Sequence, residues 1–212
     1  MQRCNSRRSY YCLARYTEGI KIPKTQMVGL SADTCNTMFG ENNSVSQRLK
    51  QEIPHLVTVK CTCHSSHLSY SKAFAMLPSI IEEFVREVPS HFSAYKKKDT
   101  LIEFQQFCQV EIHSILIPGL THWLTLQPCA ARILEQLNPL ILFFTDAFAL
   151  KPNESNGKIL KLLIDPFTKC YLEFLVMVLD KFNKFNATYE GNKPLLFELE
   201  DYVNKLILDL GR

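Results

Sequence analysis

The sequence predicts an α/β fold that is mostly helical, and three observations carry that expectation. Two short apolar runs near the start are each followed by an amphipathic stretch, the alternation from which parallel sheets are built. From residue 99 onward the apolar spacing is that of helices alone. Hydrophobic residues make up 46% of the 212 and charged residues 21%, a balance that buries a core instead of leaving the chain disordered.

Residues 1 to about 25 show no clear period and are expected to form an irregular arm. The run QMVGLSAD is apolar and closes on an acid, which reads as a buried strand ending at Asp33. Small and amide residues follow, and then SVSQRLKQEIP reads as a helix capped by Asn43 or Ser44 and stopped before Pro54. LVTVKC is a second strand, rich in β-branched residues. CTCHSSHLS then opens one long helix reaching about Val88, so residues 26–98 read as strand, helix, strand, helix.

Residues 99–212 form the helical part. KKKD at 96–99 is expected to be a solvated loop. TLIEFQQFCQV presents a face of Leu101, Phe104, Phe107 and Cys108. ARILEQL and LILFFTDAFAL continue as helix, and KPNESNG reads as a turn-rich linker. Asp165 and Pro166 form an N-cap and first-turn pair. The following helix is expected to bury Phe167, Tyr171, Phe174, Leu175, Val178 and Phe182. A last helix begins near Pro194, with Leu196, Leu199, Val203, Leu206 and Leu210 on one face and Gly211 at its stop.

Composition narrows the function classes. A net charge of +3 does not by itself argue for nucleic acid or a membrane. The start lacks the apolar centre of a secretory signal, and no run approaches the ~20 apolar residues of a membrane span. Eight cysteines in a chain without that signal are expected to be reduced thiols in apolar helical settings, in a cytosolic or nuclear protein. Neither GxSxG, a P-loop, GxGxxG nor HExxH occurs.

Four constellations remain. Asp33 closes a strand at the sheet edge where ligands gather, and a carboxylate there suits Mg²⁺; a turn-capping Asp is the competing reading. CTCHSSH packs Cys61, Cys63, His64 and His67 into seven positions. Those ligands suit zinc, but the spacing is not that of a zinc site, and a helix N-terminus beside a phosphate competes. Trp123, beside His122, is either a core anchor or a platform for a nucleobase. The lysines of KKKD suggest phosphate contact only weakly.

MVGLSADTCNTMFGENNSV, VTVKCTCHSSHLS, FQQFCQV and THWLTLQPCAARILEQL, in this order, resemble the transposase-like proteins of the hAT superfamily and their domesticated relatives. The resemblance spans about residues 26–150. It implies a partial RNase H-like core over 26–98 with a helical insertion region after it. It maps the second of the family's three metal-binding acids onto Asp33, its Cys-x-x-His motif onto Cys61 and His64, and its Arg-Trp pair onto His122 and Trp123. The first acid has no counterpart among the 32 residues before Asp33, the third none before Arg212, and His122 replaces an arginine.

The expectation is therefore a catalytically incomplete, truncated, transposon-derived protein. It is not expected to be an enzyme, or to need a cofactor, the ancestral Mg²⁺ or Mn²⁺ site at Asp33 being lost. The alternative is a nuclear DNA-binding or protein-interaction module, with DNA contact candidates Cys61, His64, His122 and Trp123. Partners would be DNA or protein, not a membrane or small molecule, and the location nuclear, with cytoplasmic as the alternative.

Overall fold

The computed structural model describes residues 6–119, 125–191 and 195–211. It is mostly helical, with one two-stranded parallel sheet, and the chain divides into two compact units, Met1–Ser69 and Tyr70–Arg212.

The first unit begins with a correction. Within the expected irregular arm, Ser6–Gly19 forms a helix, α1. Its buried face holds Tyr10, Ala14 and Thr17, a spacing masked in sequence by the surrounding arginines and tyrosines. Strand β1 is Gly29–Ala32, the short helix α2 is Asn36–Phe39, α3 is Val45–Glu52 and β2 is Val57–Lys60. Ser44 caps α3, its hydroxyl accepting from the Gln47 N–H at 3.3 Å, while Asn43 takes a left-handed φ of 59° just before it. The unit's core is Tyr10, Val45, Leu49, Ile53 and Leu56, with Met27 and Leu30 packed on it. The Tyr10 hydroxyl donates to Glu52, and Lys24 meets that carboxylate at 3.4 Å, tying α1 to α3.

A second correction follows β2. The expected single helix is two, α4 at Thr62–Phe74 and α5 at Ser79–Ser90. Pro78 has no N–H to continue the ladder and stands as the N-cap of α5 with φ −56°. The rest of the second unit is α6 (Tyr95–Phe107), α7 (Leu126–Glu135), α8 (Leu137–Leu150), α9 (Glu154–Ile164), α10 (Pro166–Tyr189) and α11 (Leu199–Leu210). The KKKD lysines lie in the opening turns of α6 and are exposed, and Asn153 of the expected linker caps α9, its side chain accepting from the Asn156 N–H at 2.7 Å.

The large core joins Phe84, Val85 and Val88 of α5 with Ile133 of α7, Phe143 and Phe144 of α8, and Leu172, Leu175 and Leu179 of α10. Several expected core positions lie elsewhere. Phe107 is 78% exposed and Gln105 is buried in its place; Phe167 and Phe174 are exposed, and the buried stripe of α10 runs through Leu172, Leu175, Leu179 and Phe182. Asp165 does cap α10, accepting from the N–H groups of Phe167 and Thr168, with Pro166 at the first position. Gly211 follows α11 with an ordinary helical φ of −87°, so it is not a left-handed stop.

Residues 109–119 have no regular structure and are held by side chains of their neighbours. Gln105 and Gln136 reach the carbonyls of His113 and Glu111, and Arg132 and Arg86 reach those of Ser114 and Gly119. No single described helix is long and apolar enough to cross a membrane.

Candidate nucleic-acid corner at the end of the sheet

Parallel pairing decides what Asp33 can meet. In the register of Gly29 with Val57 and Ala32 with Lys60, both strands end at the same edge of the sheet. The Cys61 N–H donates to the Ala32 carbonyl at 2.7 Å, which carries the ladder one residue past β2. Asp33 and Cys61, 28 positions apart in sequence, thus leave the sheet side by side, and α4 begins at once with His64 in its first turn.

Asp33 is exposed, and its Oδ1 accepts from the Cys35 N–H at 3.3 Å, the short loop that Asp forms with the backbone two residues on. Hydrogen bonding from Cys35 chiefly holds its carboxyl below the usual range, against the opposing effect of burial and with a last, lesser electrostatic contribution from the neighbouring His64. Burial first, and then the neighbouring Asp33 carboxylate, pushes the Cys35 thiol up. The turn-capping role of Asp33 is therefore real, and it leaves an ionised carboxylate at the edge. His64 and His67 lie one helical turn apart with ring centroids at 6.3 Å and planes 12° apart, stacked along α4.

Among the described residues, no three His, Cys, Asp or Glu side chains are grouped to hold a metal ion. Cys61, Cys63, His64 and His67 follow one another around a helix start, where the stacked rings of His64 and His67 share a face, but they do not form such a group. No disulfide links the described cysteines, and only Cys129 is buried; Cys12, Cys35 and Cys170 are exposed, not in apolar settings. His122 and Trp123 lie outside the described residues.

Sequence reasoning passed over one polar cluster in the second unit. The Ser155 hydroxyl, on the first turn of α9, lies 2.8 Å from Glu87 Oε1 and 3.2 Å from His91 Nε2. With the hydroxyl proton given to the Glu87 carboxylate, the imidazole serves as donor to the oxygen, so the group ties α5 to α9 and does not prime a nucleophile. Lys158 pairs with Glu83 and Glu87 at 3.5 and 3.9 Å beside it. Burial, then the charge of Lys97, lowers the His91 pKa below its ordinary value. Only the recurrence of Glu87 and His91 on one helix face hinted at this in sequence, and Ser155 comes from a distant element. Neither family models, nor characterised proteins, nor solved structures offer a match to this chain.

Proposed function

We propose that this chain is a catalytically incomplete protein derived from a hAT-type transposase, with a partial RNase H-like core and no strand-transfer activity. What supports the ancestry is the sheet edge. Asp33, which the resemblance maps onto the family's second acid, and Cys61 and His64, which it maps onto the Cys-x-x-His motif, stand just beyond the ends of adjacent parallel strands. What supports inactivity is the state of that carboxylate. Asp33 already closes a turn on Cys35, whereas two-metal phosphoryl chemistry needs several oxygen ligands converging on both ions. The reading implies residence in the nucleus, with the cytoplasm as the alternative.

The test is nicking of supercoiled DNA by purified protein with Mg²⁺ or Mn²⁺. No metal-dependent cleavage is expected from the wild type. Robust nicking that disappears in Asp33→Ala would overturn the proposal.

A second reading, a DNA-binding module, rests on His64 in the first turn of α4, where helix N–H groups face an anion, with Lys60 exposed one residue before Cys61. It requires salt-sensitive DNA binding that weakens in His64→Ala. Failure to bind DNA even at low salt sinks it.

A further inference from the structure

Among the described residues, β1 and β2 pair only with each other, whereas parallel sheets are built of several strands covered on both faces. In the observed register, β1 turns the N–H and C=O groups of Leu30 and Ala32 towards β2. The Val28 and Ala32 carbonyls lie on that side too, accepting from the N–H groups of Val57 at 2.9 Å and Cys61 at 2.7 Å. The N–H and C=O groups of Gly29 and Ser31 therefore face the outer edge, and no described group hydrogen-bonds them.

The same edge is open in space. Gly29 and Ser31 are exposed and Val28 is 73% exposed. A Cβ added at Gly29 would meet only the Val57 carbonyl oxygen, at 3.6 Å. Natural edge strands are guarded by charge, proline or a bulge. Residues 27–32, Met-Val-Gly-Leu-Ser-Ala, carry no charge and no proline, while β2 carries Lys60.

We propose that the outer edge of β1 pairs antiparallel with the same edge of a second copy of this chain, forming a four-stranded sheet across a two-fold axis. The proposed register pairs the outward groups of Gly29 and Ser31 with each other. In antiparallel pairing only outward-facing residues exchange N–H···O=C bonds, and setting Gly29 against Ser31 of the partner subunit satisfies both strands identically. Leu30 then meets Leu30 of the partner subunit at the axis. The nearest ionic group, Asp33, falls opposite Met27 of the partner subunit, so no like charges meet. A second copy brings to this edge a strand that likewise lacks charge and proline and whose outer groups are likewise unbonded by any described residue, so nothing opposes the pairing. The pairing is short, so the dimer is weak and exchanging.

The experiment is sedimentation equilibrium of the full chain over a wide concentration range, with hydrogen exchange read at single residues. The expected result is a mass rising towards the dimer, and Gly29 and Ser31 amides that gain protection with concentration while Leu30 and Ala32 are protected throughout. Ser31→Pro deletes one outward N–H per strand and leaves the bonds to β2 in place. It is expected to weaken the dimer by about tenfold or more, the loss of two interchain bonds, while Ser31→Ala leaves it unchanged. If Ser31→Pro loses its helical circular dichroism, Ser31→Lys, which brings two ammonium groups together near the axis, replaces it with the same expectation. A monomer at every concentration overturns the proposal. So does a dimer indifferent to the substitution that folds, or edge protection independent of concentration, which would mean that another segment occupies the edge.

Discussion

Replacing Gln136 by leucine tests how the irregular segment 109–119 is held. Gln136 and Gln105 are both fully buried, and the Gln105 amide nitrogen donates to Gln136 Oε1 at 2.9 Å and to the His113 carbonyl at 2.7 Å. Gln136 in turn donates to the Glu111 carbonyl at 3.0 Å and to Glu135 at 3.1 Å. Leucine keeps the volume and removes all three of its bonds. Glu111 and Glu135 are exposed and recover water, so those losses are small. The buried Gln105 N–H recovers nothing, and stranding it costs about 1–3 kcal/mol. The expected loss is therefore about 2–3 kcal/mol, read as a lower urea midpoint at unchanged slope. Gln105→Leu strands Gln136 Oε1 in the same way but also removes Gln105 Oε1, which has no partner. In the double variant both stranded groups are gone, so its cost should fall short of the sum of the single costs by about 1 kcal/mol or more. Strict additivity, or a Gln136→Leu cost below about 0.5 kcal/mol, refutes the reasoning, since it would mean that water reaches the pair.

Two further predictions concern the second unit. Asp165→Ala removes the acceptor of the Phe167 and Thr168 N–H groups and of the Thr168 hydroxyl, at 3.2, 3.2 and 3.0 Å; the urea midpoint should report a loss of about 1–2 kcal/mol, largely spared in Asp165→Asn. His91 titrates below its ordinary 6.5, through burial first and then the charge of Lys97, with Glu87 opposing. The unfolded chain thus takes up this proton before the folded one does. Stability should fall as the pH drops through about 6.5 towards the folded value, and the slope should shrink in His91→Gln, with the imidazole followed by NMR titration.

How much of this was legible beforehand depended on how local each cause is. Ser44 before α3, and Asp165 with Pro166 before α10, act on backbone groups two or three residues away, so the sequence contains the whole interaction. The two strands were legible because their apolar runs are short and sharply bounded. The break at Ala75–Pro78 was passed over although Pro78 was visible, because the apolar period resumes beyond it. Burial along α6 and α10 was less legible. Phe107, Phe167 and Phe174 are as apolar as their buried neighbours, and helix position alone does not say which face meets another element. Gln105 is buried because Gln136, 31 residues away, completes its hydrogen bonds.

The candidate corner divides in the same way. Asp33 at a strand end, and Cys61 and His64 at a helix start, could be read directly, because strand ends and caps are local events. Even the capture of Asp33 by Cys35 is a two-residue loop. The sequence by itself determined which groups stand at strand and helix ends. The tertiary structure alone decided the register of the parallel pair, which sets Asp33 beside Cys61 and leaves Gly29 and Ser31 facing outward. Strand pairing is made of backbone bonds between segments distant in the chain, and backbone groups are the same in every residue; the register is therefore chosen by the packing of Leu30 and Leu56 onto α1 and α3, not by the paired residues alone.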